Sequence, residues 1–529
     1  MKNKIIILLL AIFALASCSE DVLNVKNESS YDGSSYFTNA TTLTEASTAM
    51  YAPLLFQGMF EREGYYIFDL LGNDADKNTP LSGGLLTFQN YTYSPATEEV
   101  RYYFNACYKM VLRANFTLDA LSKWHPTASA DSTLKVRITG EAEFIKSLAN
   151  FWLVTCFGDV PLKKTLADHY ILQQGRTPKA EIWAYIEANL QDAITKLPLA
   201  QDYSASDYGR ASKGAAVALL GKAYLYQKKY TDAQTQFLSL TNAPYKYDLA
   251  KSLDDIFISD KKTYPTVTDP TGGKTETLLA VMHGLWTDWG VGNAYAMFGG
   301  QEQWGGVTTH TGRAQEYGFL DWWNVLVSQA LVNAYKYKDE SNNDYLDPRA
   351  KLTYYSNLVQ GGDTSYYDAT SVGKQSYPQK IKTGEISWRK YEMYEVRQTS
   401  GNPDSPINTQ LIRYADVLLM LAECDIENNQ ISDALPLINL IRHRSGAFEY
   451  TTLGDQTQAR TILRHERQIE LAGEQLRFFD LVRWGILKQT INAEKAGAPV
   501  QDKHVLLPIP QIERDANPVL DKQVKDNWN

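Results

Sequence analysis

Long apolar runs are almost missing from this chain of 529 residues. Ile5 to Ala16 is uninterrupted, and no other stretch approaches the roughly 18 apolar residues that a membrane-crossing helix requires. Cysteine is scarce, at four residues, so a disulfide scaffold is excluded. The seven histidines show no H-E-x-x-H or comparable two-ligand spacing, and no metal site is expected. Basic charge is in deficit: 52 Lys and Arg face 61 Asp and Glu. Removing residues 1–17, which hold Lys2 and Lys4, leaves 50 − 61 = −11. With no Lys/Arg cluster, a surface that neutralises nucleic-acid phosphates is not expected. Gly299-Gly300 and Gly305-Gly306 bracket Trp304 without a following Lys-Ser/Thr, so they are loop glycines and not a phosphate cradle. No catalytic constellation and no cofactor motif stand out.

What is present begins with the N-terminus. Lys2 and Lys4 precede the apolar run, which as a helix would span about 18 Å against about 30 Å of hydrocarbon, so residues 1–17 read as an export signal. Leu15-Ala16-Ser17-Cys18 resembles a bacterial lipobox, with Cys18 the lipidated residue, and Glu20 and Asp21 resemble the signal for the outer face of an outer membrane. The alternative is ordinary cleavage near Ala16. Cys107, Cys156 and Cys424 each lie in an apolar helical pattern, as buried free thiols or with Cys107 and Cys156 paired.

Helical periodicity is strong over residues 41–56, 98–122, 139–157, 179–197, 212–240, 409–445 and 457–489. After Leu220-Gly221, Tyr224 follows the glycine by three, Ala233 by twelve and Phe237 by sixteen, with Pro244 beyond, close to a tetratricopeptide unit. Leu421-Ala422, Ala434 and Ile438 repeat that spacing, although Asp425 replaces the tyrosine. The expected fold is mainly α, a tetratricopeptide-repeat frame of about four helix-turn-helix units with an inserted, loop-rich ligand-binding subdomain. Residues 139–157 and 457–489 would supply the weaker units. The frame should occupy mainly 41–57, 98–240 and 409–490, with irregular insertions at 58–97 and 241–408, a lipid-linked segment at 18–40 and an extended C-terminal segment at 500–529. The stretch Glu466 to Glu474, flanked by Arg464, Arg467 and Arg477, reads as a salt-linked helix face.

Aromatics carry the functional signal. Trp286, Trp289, Trp304, Trp322 and Trp323 are five of the chain's 11 tryptophans, and Tyr295, Phe298, Tyr317 and Phe319 share their window. A pyranose offers an apolar C–H face for stacking and hydroxyls for amides and carboxylates, so such a window suits sugar; the rival role is a small core. Trp322 and Trp323 are the better core candidates, which leaves Trp286, Trp289, Tyr295 and Trp304 as candidate ligand-binding residues. The loop from Asp69 to Asn78, followed by Phe88, Tyr91 and Tyr93, adds Asp74 and Asn78, for which turn formation is the alternative.

The run Ile412-Arg413-Tyr414-Ala415-Asp416-Val417-Leu418-Leu419-Met420-Leu421-Ala422-Glu423 resembles the R-Y-A-D helix of the SusD/RagB family. Arg464-His465-Glu466-Arg467 through Trp484-Gly485, Leu507-Pro508-Ile509-Pro510 with Asn517-Pro518, and Phe157-Gly158-Asp159-Val160-Pro161-Leu162 resemble further motifs of that family. The resemblance implies a surface-exposed, lipid-anchored, non-enzymatic outer-membrane protein that captures oligosaccharide and delivers it to a SusC-like TonB-dependent transporter as its lid. It also implies structural roles for the motif residues, with Arg413 and Asp416 anchoring buried polar contacts. Alternatives are a peptide-binding member, a helical glycoside hydrolase with two carboxylates across a cleft, and a repeat scaffold.

Overall fold

The computed structural model describes residues 36–78, 81, 83–257, 275–283, 313–319, 322–357, 361–367, 374–376, 386–391, 407–495, 499–523 and 528. Eleven helices carry the frame: α1 (Ala40–Ala49), α2 (Glu63–Leu71), α3 (Glu98–Lys123), α4 (Ser129–Phe157), α5 (Lys179–Lys196), α6 (Lys213–Tyr226), α7 (Tyr230–Leu240), α8 (Tyr414–Glu427), α9 (Ile431–Arg444), α10 (Gln456–Glu470) and α11 (Arg477–Arg483). From α3 to α9 each helix packs on the next in chain order, α7 on α8 across the large insertion, and α10 packs on α8. The fold is therefore mainly α and solenoid-like, as the repeat spacing implies.

Local chemistry explains the helix boundaries. The α6 start is capped by Ser212 Oγ, which accepts from Ala215 N at 3.2 Å, and α10 opens on a reciprocal capping box of Asp455 and Gln458. Gly158 ends α4 at φ +72°, a conformation that costs a side chain dearly. The next residue, Asp159, accepts from Lys179 N at 2.8 Å and so tethers the start of α5. In the α6/α7 unit, Gly221 lies so near the Phe237 ring that a Cβ would stand 2.6 Å from it. This contact is the reason for a glycine sixteen residues before an aromatic.

Three boundaries differ from the sequence expectation. Residues 139–157 are not a pair by themselves; they belong to the single helix α4, whose partner is α5. Thr409–Arg413 is a strand, antiparallel to Thr277–Val281, and the helix begins only at Tyr414. Residues 58–97, where loops, short strands and isolated helices are expected, contain α2, buried along its whole length because Gly64-Tyr65-Tyr66-Ile67-Phe68 is apolar throughout. The C-terminal segment is not extended throughout: a turn at Asp502–Val505 and short helices Gln511–Ala516 and Val519–Gln523 follow one another.

The 241–408 insertion is, where described, built of short helices and two-stranded ladders. It is riveted to the frame by buried charge. Arg413 Nε donates to Glu474 Oε2 at 2.7 Å, and its Nη1 reaches Glu276 and Glu470, both at 2.7 Å. Arg349 holds Asp347 at 2.8 Å, Glu466 at 2.5 Å and Glu470 at 3.1 Å, while Arg442 holds the other oxygen of Glu466 at 2.8 Å. Lys390 and Arg444 complete the cluster on Glu474, Glu276 and Glu470. Burial pushes the Glu470 carboxyl up, but Arg444, Arg413 and Arg349 outweigh it and hold it well below the carboxylate range. The Glu466 to Glu474 stretch is thus salt-linked, as its charge spacing implies, and its links lie in the interior. Asp416 likewise sits between Lys222 at 3.4 Å and Arg467 at 3.0 Å. Cys107, Cys156 and Cys424 are buried free thiols.

Candidate functional site

The described residues on either side of the tryptophan window are interior. His283 precedes the tryptophan window and is buried: its backbone N–H donates to Asn408 Oδ1 at 2.9 Å and its Nε2 lies 3.0 Å from Thr409 Oγ1. Arg313 follows the window, and its Nη2 donates to Asp69 Oδ2 of α2 at 3.0 Å and to Gly473 O at 2.8 Å. The guanidinium lies under the Tyr391 ring at 4.0 Å and the Tyr317 ring at 4.9 Å. Asp69 also accepts from Tyr317 and from Gln475. Both borders of the window are therefore fastened to the frame by interior hydrogen bonds.

Beside Arg313, the short helix Arg313–Tyr317 presents Glu316, whose carboxylate accepts from Arg62 Nε at 2.5 Å, from Asn324 Nδ2 at 2.6 Å and from Tyr66. Asn324 N in turn donates to Glu316 O at 2.7 Å. This knot supports a turn at Trp322-Trp323. Trp323 has φ +51°, a left-handed conformation worth about 1–3 kcal/mol of strain in a bulky residue. Asn78 holds it there: its Nδ2 donates to Trp323 O at 2.9 Å and its N–H to Asn324 O at 2.8 Å. Trp322 at the head of the turn is 50% exposed.

These placements sort the sequence candidates. Asn78 is buried and positions the Trp322 turn from within. Asp74 is also interior: its Oδ1 accepts from Gln468 Nε2 at 3.0 Å, and burial, only partly offset by Arg477, pushes its carboxyl up to about 6. Phe88, Tyr91 and Tyr93 are buried together against His504. Trp322, read from the sequence as core, is instead an accessible ring. The only local signal was its place before Asn324 and a short strand, Val325–Val327, rather than in a helix. Trp286, Trp289, Tyr295 and Trp304 lie outside the described residues, as does Cys18. Among the described residues no group of three His, Cys, Asp or Glu side chains could hold a metal ion, and no helix is long and apolar enough to cross a membrane.

Glu63, beside Arg62, gives the site a pH signature. Burial pushes its carboxyl from an ordinary 4.5 up to about 7, although Arg62 and Gln57 both donate to it. Below pH 4.5 the folded and unfolded chains both carry it neutral, so it favours neither. As the pH rises toward 7 the unfolded chain ionises first, and this destabilises the fold by up to about 3 kcal/mol above pH 7. Glu63→Gln should therefore flatten the decline: unfolding free energies of wild type and variant, measured in denaturant from pH 4.5 to 8, should diverge in the variant's favour as pH rises. Parallel pH profiles would refute this assignment.

Comparison with known proteins agrees with this architecture. A model described as SusD family matches residues 293–528, and one described as starch-binding associating with outer membrane matches residues 21–225. SusD-like protein P25 of Formosa agariphila is 23% identical, the match covering 98% of this chain and 97% of that protein. A crystal structure of a SusD superfamily protein from Bacteroides vulgatus superposes with a TM-score of 0.77 at 24% identity, over 94% of this chain and 100% of the other. A laminarin-binding SusD-like protein superposes with a TM-score of 0.68 at 24% identity, over 91% and 98%.

Proposed function

We propose a glycan-capturing role for this chain, which belongs to the SusD/RagB family of carbohydrate-binding proteins associated with the outer membrane. It binds oligosaccharide without cleaving it and passes the ligand to a SusC-like TonB-dependent transporter, for which it acts as the lid. Cys18 bears the lipid that holds it to the outer membrane, facing outside. The observation that carries this reading is the pair of family matches, one on each half of the chain, together with a concentration of aromatic residues in the segment inserted between the α7 and α8 helices. A name among the structural relatives, laminarin-binding, supports a glycan as the ligand class.

The proposed contacts are stacking rings from Trp286, Trp289, Tyr295 and Trp304, with Trp322 as an accessible ring at the edge of the same insertion. Sugar binding is first located by a glycan array on the mature protein. Alanine at a stacking ring should then weaken the identified glycan by about five-fold to more than a hundred-fold. The same variants should melt as wild type does, since a ring that leaves the surface takes little packing with it. Unchanged affinity in all five variants, or affinity lost only in step with stability, would discard the assigned rings. Release of reducing ends from the glycan by purified protein would discard the non-enzymatic reading.

A further inference from the structure

A lysine ammonium rarely leaves water without a carboxylate in hydrogen-bond contact. Among the described residues Lys495, which follows the helix Leu487–Glu494, is such a case. Its side chain is 4% exposed, and Asp76 Oδ1, with which it pairs, stands 3.9 Å from Nζ, beyond hydrogen-bond reach. The hydrogen bonds of Nζ go to neutral acceptors instead. It donates to Leu70 O at 2.8 Å and to the side-chain amide of Gln89, at 3.3 Å from Oε1.

The same carboxylate serves the other end of that amide. Gln89 Nε2 donates to Asp76 Oδ1 at 3.0 Å, so one oxygen faces both the lysine nitrogen and the amide nitrogen. Three elements fix this triangle. Gln89 ends the short helix Gly84–Gln89, whose Phe88 is fully buried and stacked on Tyr93. Asp76 is the middle residue of the strand Ala75–Lys77, paired antiparallel with Val325–Val327. The backbone of Lys495 is itself anchored, its N–H donating to Ile491 O at 2.8 Å.

Burial also changes the amine. Removal from water pushes the Lys495 ammonium down from 10.5 to about 8, against the opposing pull of Asp76, Asp74, Asp69 and Glu494. At pH 7 about one amine in ten is then neutral, against about one in three thousand for an exposed lysine. A neutral amine held against a carboxamide needs no collision to react, and desolvation is a standard means of activating a lysine nucleophile. The carboxylate on the amide nitrogen is placed to carry the proton.

We propose that Lys495 and Gln89 join in an intramolecular isopeptide bond, with Asp76 as the proton carrier. Nζ adds to Gln89 Cδ while the carbonyl π pair moves to Oε1. Asp76 takes a proton from the attacking nitrogen and delivers it to Nε2. The carbonyl re-forms, the Cδ–Nε2 bond breaks and ammonia leaves. One amide replaces another, so no oxidant or further reactant is consumed. The remaining N–H of the product keeps Leu70 O as its acceptor. The bond ties residues 406 positions apart, and a covalent closure of that span restrains the unfolded chain.

The test is peptide mapping of the full chain purified from outer membranes. Trypsin does not cut after an acylated lysine, so the linked chain should yield residues 78–101 joined to residues 489–503, lighter by one ammonia than the two peptides together. This joined peptide should dominate in wild type and be absent from Lys495→Arg, which keeps the cation and removes the nucleophile, and from Gln89→Met. Asp76→Asn keeps a polar partner for both nitrogens but cannot take a proton, and it should leave most of the chain unlinked while its circular dichroism matches wild type. Separate peptides 78–101 and 489–495 from wild type, with no joined peptide even after prolonged incubation at pH 9, overturn the proposal and make Lys495 an ordinary buried lysine. Linkage in Asp76→Asn equal to wild type overturns the assigned proton path.

Discussion

Arg413→Ala should leave little folded protein. The guanidinium is buried and makes five hydrogen bonds, to Glu276, to both the carboxylate and the backbone of Glu470, and to both oxygens of Glu474. Breaking one buried ion pair by removing one partner costs about 3–5 kcal/mol, because the remaining charge stays desolvated. Here three carboxylates lose a shared cation at once, and they come from the insertion and from the α10 region alike. The expected loss is at least about 5 kcal/mol, comparable with the whole stability of many domains. Arg413→Lys should recover only part of it, since one ammonium cannot reproduce a planar fork across three carboxylates. Denaturant unfolding of whatever soluble protein is obtained checks this. An Arg413→Ala chain within about 1 kcal/mol of wild type would show that the network does not hold the insertion to the frame.

Phe237→Ala is the second large effect. The ring is fully buried in the α6/α7 unit and packs against Gly221, so truncation removes transfer energy and leaves a cavity, together about 3–5 kcal/mol. The reciprocal change, Gly221→Ala, should cost about 1–3 kcal/mol because the new Cβ would stand 2.6 Å from the ring. The two residues share one space, so the double variant should be more stable than the sum of the single losses predicts. Thermal melts of the four proteins close the cycle. Strict additivity would mean that the glycine is not there to admit the ring.

These two sites show how differently parts of the molecule could be read from residue order. Gly221 and Phe237 were legible as a tetratricopeptide spacing, because both lie in one helical hairpin and a helix turns with a period that residue order records. Arg413 was legible as an interior anchor only through its resemblance to a family motif. Its partner Glu276, 137 residues away, could not be named from either side. Glu466, Glu470 and Glu474 show the same limit: their spacing predicted a salt-linked face, and salt-linked they are, but residue order could not name Arg349, Arg413 and Arg442 as the cations, which arrive from elsewhere and make the links interior. At the site, Asp74 and Asn78 had the right chemistry for a ligand, yet their partners Gln468 and Trp323 turn them inward. Trp322 went the other way, because a turn clamped by Asn78 at a residue far along the chain carries its ring to the surface.

Residue order by itself determined the mainly helical class, the repeat units and the family, since helical periodicity and motif spacing are short-range properties encoded within one or two turns of chain. Tertiary structure alone decided which carboxylates became buried counter-ions, that α2 is buried along its whole length, and which aromatic rings meet water. Burial is a property of what packs against a residue from a distance, and a side chain carries no mark of it.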